Sequence, residues 1–186
     1  MEENSQPPLC VDLDGTVVYG DMSLKSFTSF IAKNPFRIFL VGLWHLRGRA
    51  FTKYMLSRSF VFDPQKLDYI PETIAFLKEQ KAQGRRIYLC TGSCVSVAMK
   101  ISRHLELFDG VMGTKAKKNF IGQVKCAALV KRFGDAGFDY VGNSSQDLKV
   151  WKNSRRIYIV NASSSTVKKC QEMYGSKSIT VLDRKK

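Results

Sequence analysis

The apolar positions of this chain fall into short unbroken runs separated by amphipathic stretches of helical length. Residues 9–11, 86–90, 139–142 and 156–160 are too short for helices and too apolar for half-exposed strands, which predicts fully buried strands there. Residues 110–112 and 178–182 add a short strand and a late one. A helix is predicted over 71–83, opening on proline and an acid and stopping at Gly84, with others over 94–105, 123–133 and 163–174. Strand alternating with helix predicts an α/β fold, a Rossmann-like parallel sheet with helices on both faces. Such sheets bind ligands off the carboxyl ends of their strands, where the strand order reverses. Asp12, Asp14, Thr91 and Asn143 would converge at that place.

Between residues 21 and 68 the alternation breaks. Three helices, over 23–33, 35–46 and 49–60, predict a small helical cap inserted after the first strand, with 1–20 and 69–186 forming the core domain. The middle helix is apolar nearly all round, so it must be buried or lie in lipid. At roughly 1.5 Å per residue it reaches under about 20 Å, too short to span a bilayer. Two readings stay open. One is a hydrophobic mini-core of the cap with a solvated basic rim. The other is an interfacial membrane contact built from aromatics with Arg37, Arg47, Arg49, Lys53 and Arg58.

Composition narrows the partners. A chain of 186 residues with 44% hydrophobic and 25% charged residues makes one soluble globular domain with room for an insertion. A net charge of +14 favours anionic partners: a phosphorylated small-molecule or lipid-linked substrate, or an anionic membrane surface. Nucleic acid is disfavoured, because no recognition helix or aromatic-sheet motif accompanies the charge. Five cysteines without a Cys-x-x-Cys pair predict a reducing compartment, with Cys94 near a helix start as the one in a reactive setting. Two histidines argue against a zinc site. Residues 1–8 lack the apolar core of a signal peptide and 183–186 form a short charged end. The expected location is cytoplasmic, with a peripheral position at the inner face of a membrane also in view.

The chemistry is concentrated in Asp12-Leu13-Asp14-Gly15-Thr16, directly after the first strand. Two carboxylates one residue apart, emerging beside a buried strand, repel each other unless a cation sits between them. That predicts a divalent metal and chemistry on an anion. The plain alternative is a strand-to-turn junction, since Asp-Gly is a common turn dipeptide.

Together with Leu89-Cys90-Thr91-Gly92-Ser93, Lys125 and Gly142-Asn143-Ser144-Ser145-Gln146-Asp147, this segment resembles the four ordered motifs of the haloacid dehalogenase (HAD) superfamily. More narrowly, Leu46-Arg47-Gly48-Arg49-Ala50, Leu107-Phe108-Asp109 and 138–142 resemble the HAD domain found ahead of UbiA-type polyprenyltransferases. The resemblance implies a prenyltransferase membrane domain among the partners, and leaves a stand-alone protein and an excised domain both open. It implies a Mg²⁺-dependent phosphatase acting on a phosphomonoester, with Asp12 as nucleophile forming an aspartyl-phosphate. Asp14 would be general acid and then general base. Thr91, with the backbone near Gly92 and Ser93 at a helix start, would bind phosphate oxygens. Lys125 would hold nucleophile and phosphate, in preference to its neighbours Lys115, Lys117 and Lys118. Asp12, Asp14, Asn143 and Asp147 would surround the magnesium. Asn143 departs from the family, where an acid is usual; an amide brings no charge to a hard cation, so binding weaker by about ten- to a hundredfold is expected. A weakened module kept for binding phosphate or a membrane partner is the alternative.

Overall fold

The computed structural model describes residues 6–182, so residues 1–5 of the polar start and the charged end at 183–186 lie outside the described residues. The chain opens with β1 (Leu9–Val11) and passes through a turn to three helices, α1 (Met22–Ala32), α2 (Arg37–Leu46) and α3 (Arg49–Ser59). It then alternates: α4 (Pro71–Ala82), β2 (Ile87–Cys94), α5 (Val95–Leu105), β3 (Gly110–Thr114), α6 (Gly122–Phe133) and β4 (Asp139–Gly142). The short α7 (Leu148–Trp151), β5 (Arg156–Ile159), α8 (Ser164–Tyr174) and β6 (Ser178–Val181) complete it.

The six strands form one parallel sheet in the order β3-β2-β1-β4-β5-β6. The chain winds outward in one direction through β2 and β3, then returns to β1 and winds the other way. The reversal lies between β1 and β4, where Leu9 pairs with Asp139 and Val11 with Val141. Alternate side chains of β1 enter opposite cores, as a strand's period of two requires. Leu9 and Val11 pack with Leu77 of α4 and Val97 and Ile101 of α5. Cys10 packs with Leu129 of α6, Trp151 of α7 and Cys170 of α8. Helices therefore cover both faces, and the predicted α/β architecture stands.

Local signals place the helices well. Pro71 occupies the first turn of α4, and the Asp21 side chain accepts from the Ser23 and Leu24 amides to cap α1. Two expectations change. β2 continues to Cys94, because Thr91 and Cys94 still pair with Gly113 and Thr114 across an irregularity, so α5 starts one residue later than the apolar pattern indicates. The mini-core reading of the middle cap helix also fails. α2 buries none of its residues; Trp44 alone of its aromatics packs inward, its ring tilted 43° to that of Phe30 with centres 5.2 Å apart, while Phe39, Leu40 and Leu43 face outward. All five cysteines are buried and free, Cys94 included.

At the amino edge of the sheet, Asp139 is fully buried and accepts from Arg85, from Arg155 at 3.0 Å and from the Arg156 amide at 3.1 Å. Arg85 is itself buried and also donates to the Pro7 carbonyl. Replacing Asp139 with Ala strands the Arg85 guanidinium, so urea unfolding should report a loss of about 3–5 kcal/mol.

Candidate active site

The site forms where the chain leaves β1 and β4. Asp12 follows β1, its amide donates to the Val141 carbonyl at 3.0 Å, and it stays against the sheet. Asp14 lies one turn of backbone further on. Gly15 adopts φ +72°, and an added Cβ there would stand 2.2 Å from Asn143 Nδ2. This glycine lets the turn lie directly under the Asn143 amide, whose oxygen accepts from the Thr16 hydroxyl at 3.3 Å. Gly142 has a similar role: a Cβ would come within 2.7 Å of the Asp147 carboxyl carbon.

Two linked groups of side chains result. In the first, Lys125 reaches from the first turn of α6 and donates to Asp12 at 3.0 Å and to the Tyr140 hydroxyl at 2.8 Å, with Asp147 3.7 Å away. Tyr140 in turn donates to Asp147 at 2.9 Å. In the second, Asp14 accepts from the Met22 amide at 2.7 Å, from Ser93 at 2.6 Å and from Thr91 at 3.3 Å. Asp12, Asp14, Gly92, Lys125, Asn143 and Asp147 line one open cavity of about 640 Å³.

Burial sets the electrostatics. It pushes the Asp12 carboxyl from its ordinary 3.8 up to about 7, and nearby Asp147 and Asp14 add to this against the pull of Lys125. Burial also raises Asp14, although the Met22 amide and Ser93 hydroxyl pull it down. For Lys125, burial opposes the charge, but Asp12 and Asp147 outweigh it and hold the ammonium more firmly than usual. Burial and the adjacent acids push the Tyr140 phenol far up, so it keeps its proton and acts as a donor.

The predicted residues are brought together with changes of position. Lys125 is buried at the site, whereas Lys115, Lys117 and Lys118 are exposed. Thr91 and Ser93 are buried, their hydroxyls turned to Asp14, and the Ser93 amide is taken by the Thr91 hydroxyl at 2.9 Å. Only Gly92 of the expected phosphate loop lines the cavity. The reason is the strand extension: 91–93 run on as β2 and do not yet form a helix start. Asp147 is also differently used. One oxygen accepts from Tyr140, the other from the Asn143 and Ser144 amides and the Ser144 hydroxyl, so it braces the loop that carries Asn143.

Other residues join without having been singled out for the site. Tyr140 reads as one more apolar strand position, and nothing in the chain marks its bridging hydroxyl. Lys53 from α3 donates to the Gly92 carbonyl at 2.8 Å and lines the cavity with Arg49. Burial lowers its pKa, against Asp21 and Asp14. The i, i+4 spacing of Arg49 and Lys53 was the available signal, since it puts both on one helix face.

No protein-family model matches this chain. An uncharacterized protein, y4nM of Sinorhizobium fredii, is 29% identical over 153 residues, 82% of this chain and 30% of that protein. The chain thus spans under a third of that relative's length. Among solved structures, phosphoserine phosphatase in its apo form superposes with a TM-score of 0.64 at 14% identity, covering 97% of this chain and 95% of that one. A protein of unknown function from Bordetella pertussis Tohama I gives 0.69 at 13% identity, over 97% and 100%. A HAD family hydrolase from Salmonella enterica serovar Typhi gives 0.63 at 12%, over 88% and 66%. The fold is the Rossmann-like α/β fold of the HAD-superfamily hydrolases.

The raised Asp12 pKa fixes a sign. Its contribution to stability is fully present below about 3.8, falls as the pH rises, and is gone above about 7. Asp12→Asn cannot ionise, so its melting temperature relative to wild type should climb between about pH 4 and about pH 7 in the metal-free protein and level off above that. A pH-independent difference in thermal melts would contradict this account.

Proposed function

We propose that this protein is a phosphatase that hydrolyses a phosphomonoester through an aspartyl-phosphate on Asp12. The observation that carries the reading is the buried Asp12–Lys125 contact of 3.0 Å at the reversal point of the sheet, with Asp14 lining the same cavity. An Asp12 oxygen attacks phosphorus as the bond to the leaving oxygen breaks, and Asp14 gives that oxygen its proton. Burial holds the Asp14 proton more firmly than in water, as a general acid needs. Asp14 then takes a proton from the water that attacks phosphorus and frees Asp12. Lys125 stays charged throughout and offsets the repulsion between carboxylate and phosphate.

The donor set fits a hard cation. It is all oxygen, and three acids, Asp12, Asp14 and Asp147, face a single buried lysine, which leaves negative charge to be neutralised. No three His, Cys, Asp or Glu side chains converge as a ready metal cluster among the described residues. That agrees with Asp147 being engaged by hydrogen bonds and Asp14 by Ser93. Asp12, Asn143 and the backbone carbonyl of Asp14 are the groups that would hold Mg²⁺, which would supply charge neutralisation for the phosphate. With one amide among them, the site binds the ion more weakly than an all-carboxylate site.

The substrate class we favour is an amphiphilic, lipid-linked phosphate. Leu24 and Ile121 line the cavity beside Arg49 and Lys53. A second cleft, sharing Arg49 and Asn119 with the first, runs past Phe51 and Lys117 to Arg47 at the end of α2. A phosphate at Lys125 could thus extend an apolar tail toward the cap.

Turnover of an aryl phosphate with Mg²⁺ tests the chemistry. Asp12→Asn should fall to background, and Asn143→Asp should rise by about tenfold through tighter metal binding. Silence in wild type and both variants would leave a phosphate-binding module instead. Equal turnover of soluble sugar phosphates and long-chain phosphates would remove the lipid-linked substrate. Mg²⁺ should also raise the melting temperature, and more at pH 8 than at about pH 6, because the ion and the proton compete for Asp12.

A further inference from the structure

The cap presents an apolar helix face to solvent. Phe36, Phe39, Leu40, Leu43 and Leu46 recur at helical spacing along and just before α2, and are 77%, 71%, 44%, 61% and 84% exposed. Arg37, Val41 and Trp44 lie on the opposite side, partly buried, with the Arg37 guanidinium 4.9 Å from the Phe30 ring centre and the Trp44 ring packed at a tilt against the same ring. Among the described residues, none of the outward five belongs to either buried apolar cluster. A scattered exposed leucine is ordinary, but five large apolar side chains on one helix form a patch.

The charge around this patch is equally one-sided. Between Met22 and Phe62 the chain carries seven lysines and arginines and no acid, which is half of its net charge of +14. Exposed Lys33 lies before α2 and exposed Arg47 and Arg49 after it. Lys117 joins Arg47 and Arg49 in the same cleft, extending the basic edge beyond the cap. No helix among the described residues is long and apolar enough to cross a membrane, so an apolar face of about 15 Å rimmed by cations lies along an interface and does not traverse it.

We propose that the outward face of α2 docks on the surface of an anionic phospholipid bilayer. Phe36, Phe39, Leu40, Leu43 and Leu46 enter the headgroup boundary while Lys33, Arg47, Arg49 and Lys117 pair with lipid phosphates. The charge complementarity selects this occupant over a second copy of the chain, whose own α2 rim would bring like charges together. Docking is independent of the phosphatase reading and is measured without turnover. It does bring the cleft that begins at Arg47 to the membrane surface.

The test is co-sedimentation of the full chain with phosphatidylcholine vesicles, with and without phosphatidylglycerol. Binding should require the anionic lipid, weaken as salt rises, and drop by about tenfold or more when Phe39→Ser and Leu43→Ser are combined. Neither residue lines the active cavity, so the double variant should keep its melting temperature and any aryl phosphate turnover. Arg47→Glu should weaken binding at low salt and less at high salt. A wild-type protein that stays in the supernatant, or a double variant that binds equally, overturns the proposal. So does light scattering that shows a dimer which the serine variant dissociates, since a second copy would then cover α2.

Discussion

The pair formed by Asp12 and Lys125 is the constraint around which this structure is arranged. A carboxylate at the end of a central strand is almost cut off from water, and the low-dielectric surroundings penalise its charge. One lysine nearby offsets part of that cost, but Asp14 and Asp147 add negative charge to the same pocket. The surrounding side chains are placed to manage this excess. Tyr140 joins Lys125 to one oxygen of Asp147 through its hydroxyl, and the other Asp147 oxygen accepts from the Asn143 and Ser144 amides. Such fully satisfied polar networks fix geometry, because each member loses a partner if another moves.

Of the three helices that follow β1, α1 and α3 are tied into this network. The Met22 amide opens α1 by donating to Asp14, and the Ser23 hydroxyl meets that of Ser93 at 3.2 Å. Lys53 ties α3 to the carbonyl of Gly92. Asp14 is therefore shared: it belongs to the β1 turn by sequence and to the cap's first helix by hydrogen bonding. Any change in the position of α1 alters the donors around the proposed general acid.

The basic residues of this chain do different things in different places. Lys125 and Arg85 are buried, and each is held by specific acids on the core. Those between Met22 and Phe62 share that stretch with no acid, and they surround an apolar helix. Net charge alone does not distinguish these populations. Burial does, because a desolvated cation must be paired whereas an exposed one can wait for an external anion.

Reading the chain alone located every strand of the sheet and nearly every helix, since short apolar runs and 3.6-residue periodicity are imposed locally. It also placed Asp12, Asp14, Thr91 and Asn143 together, because strand ends in a parallel sheet lie along one edge, whereas Lys125 and Asp147 were picked out only by the resemblance to HAD motifs. What it misjudged depended on through-space neighbours. Thr91 and Ser93 have the composition of a phosphate loop, yet pairing with β3 carries the strand past them and turns their hydroxyls to Asp14. Tyr140 has the pattern of a core residue, and only the folded position of its oxygen reveals the bridge. The outward set of α2 was known to be apolar from the start. Whether it would be covered was decided by how α1 and α3 pack, because a helix can bury only the side its neighbours reach.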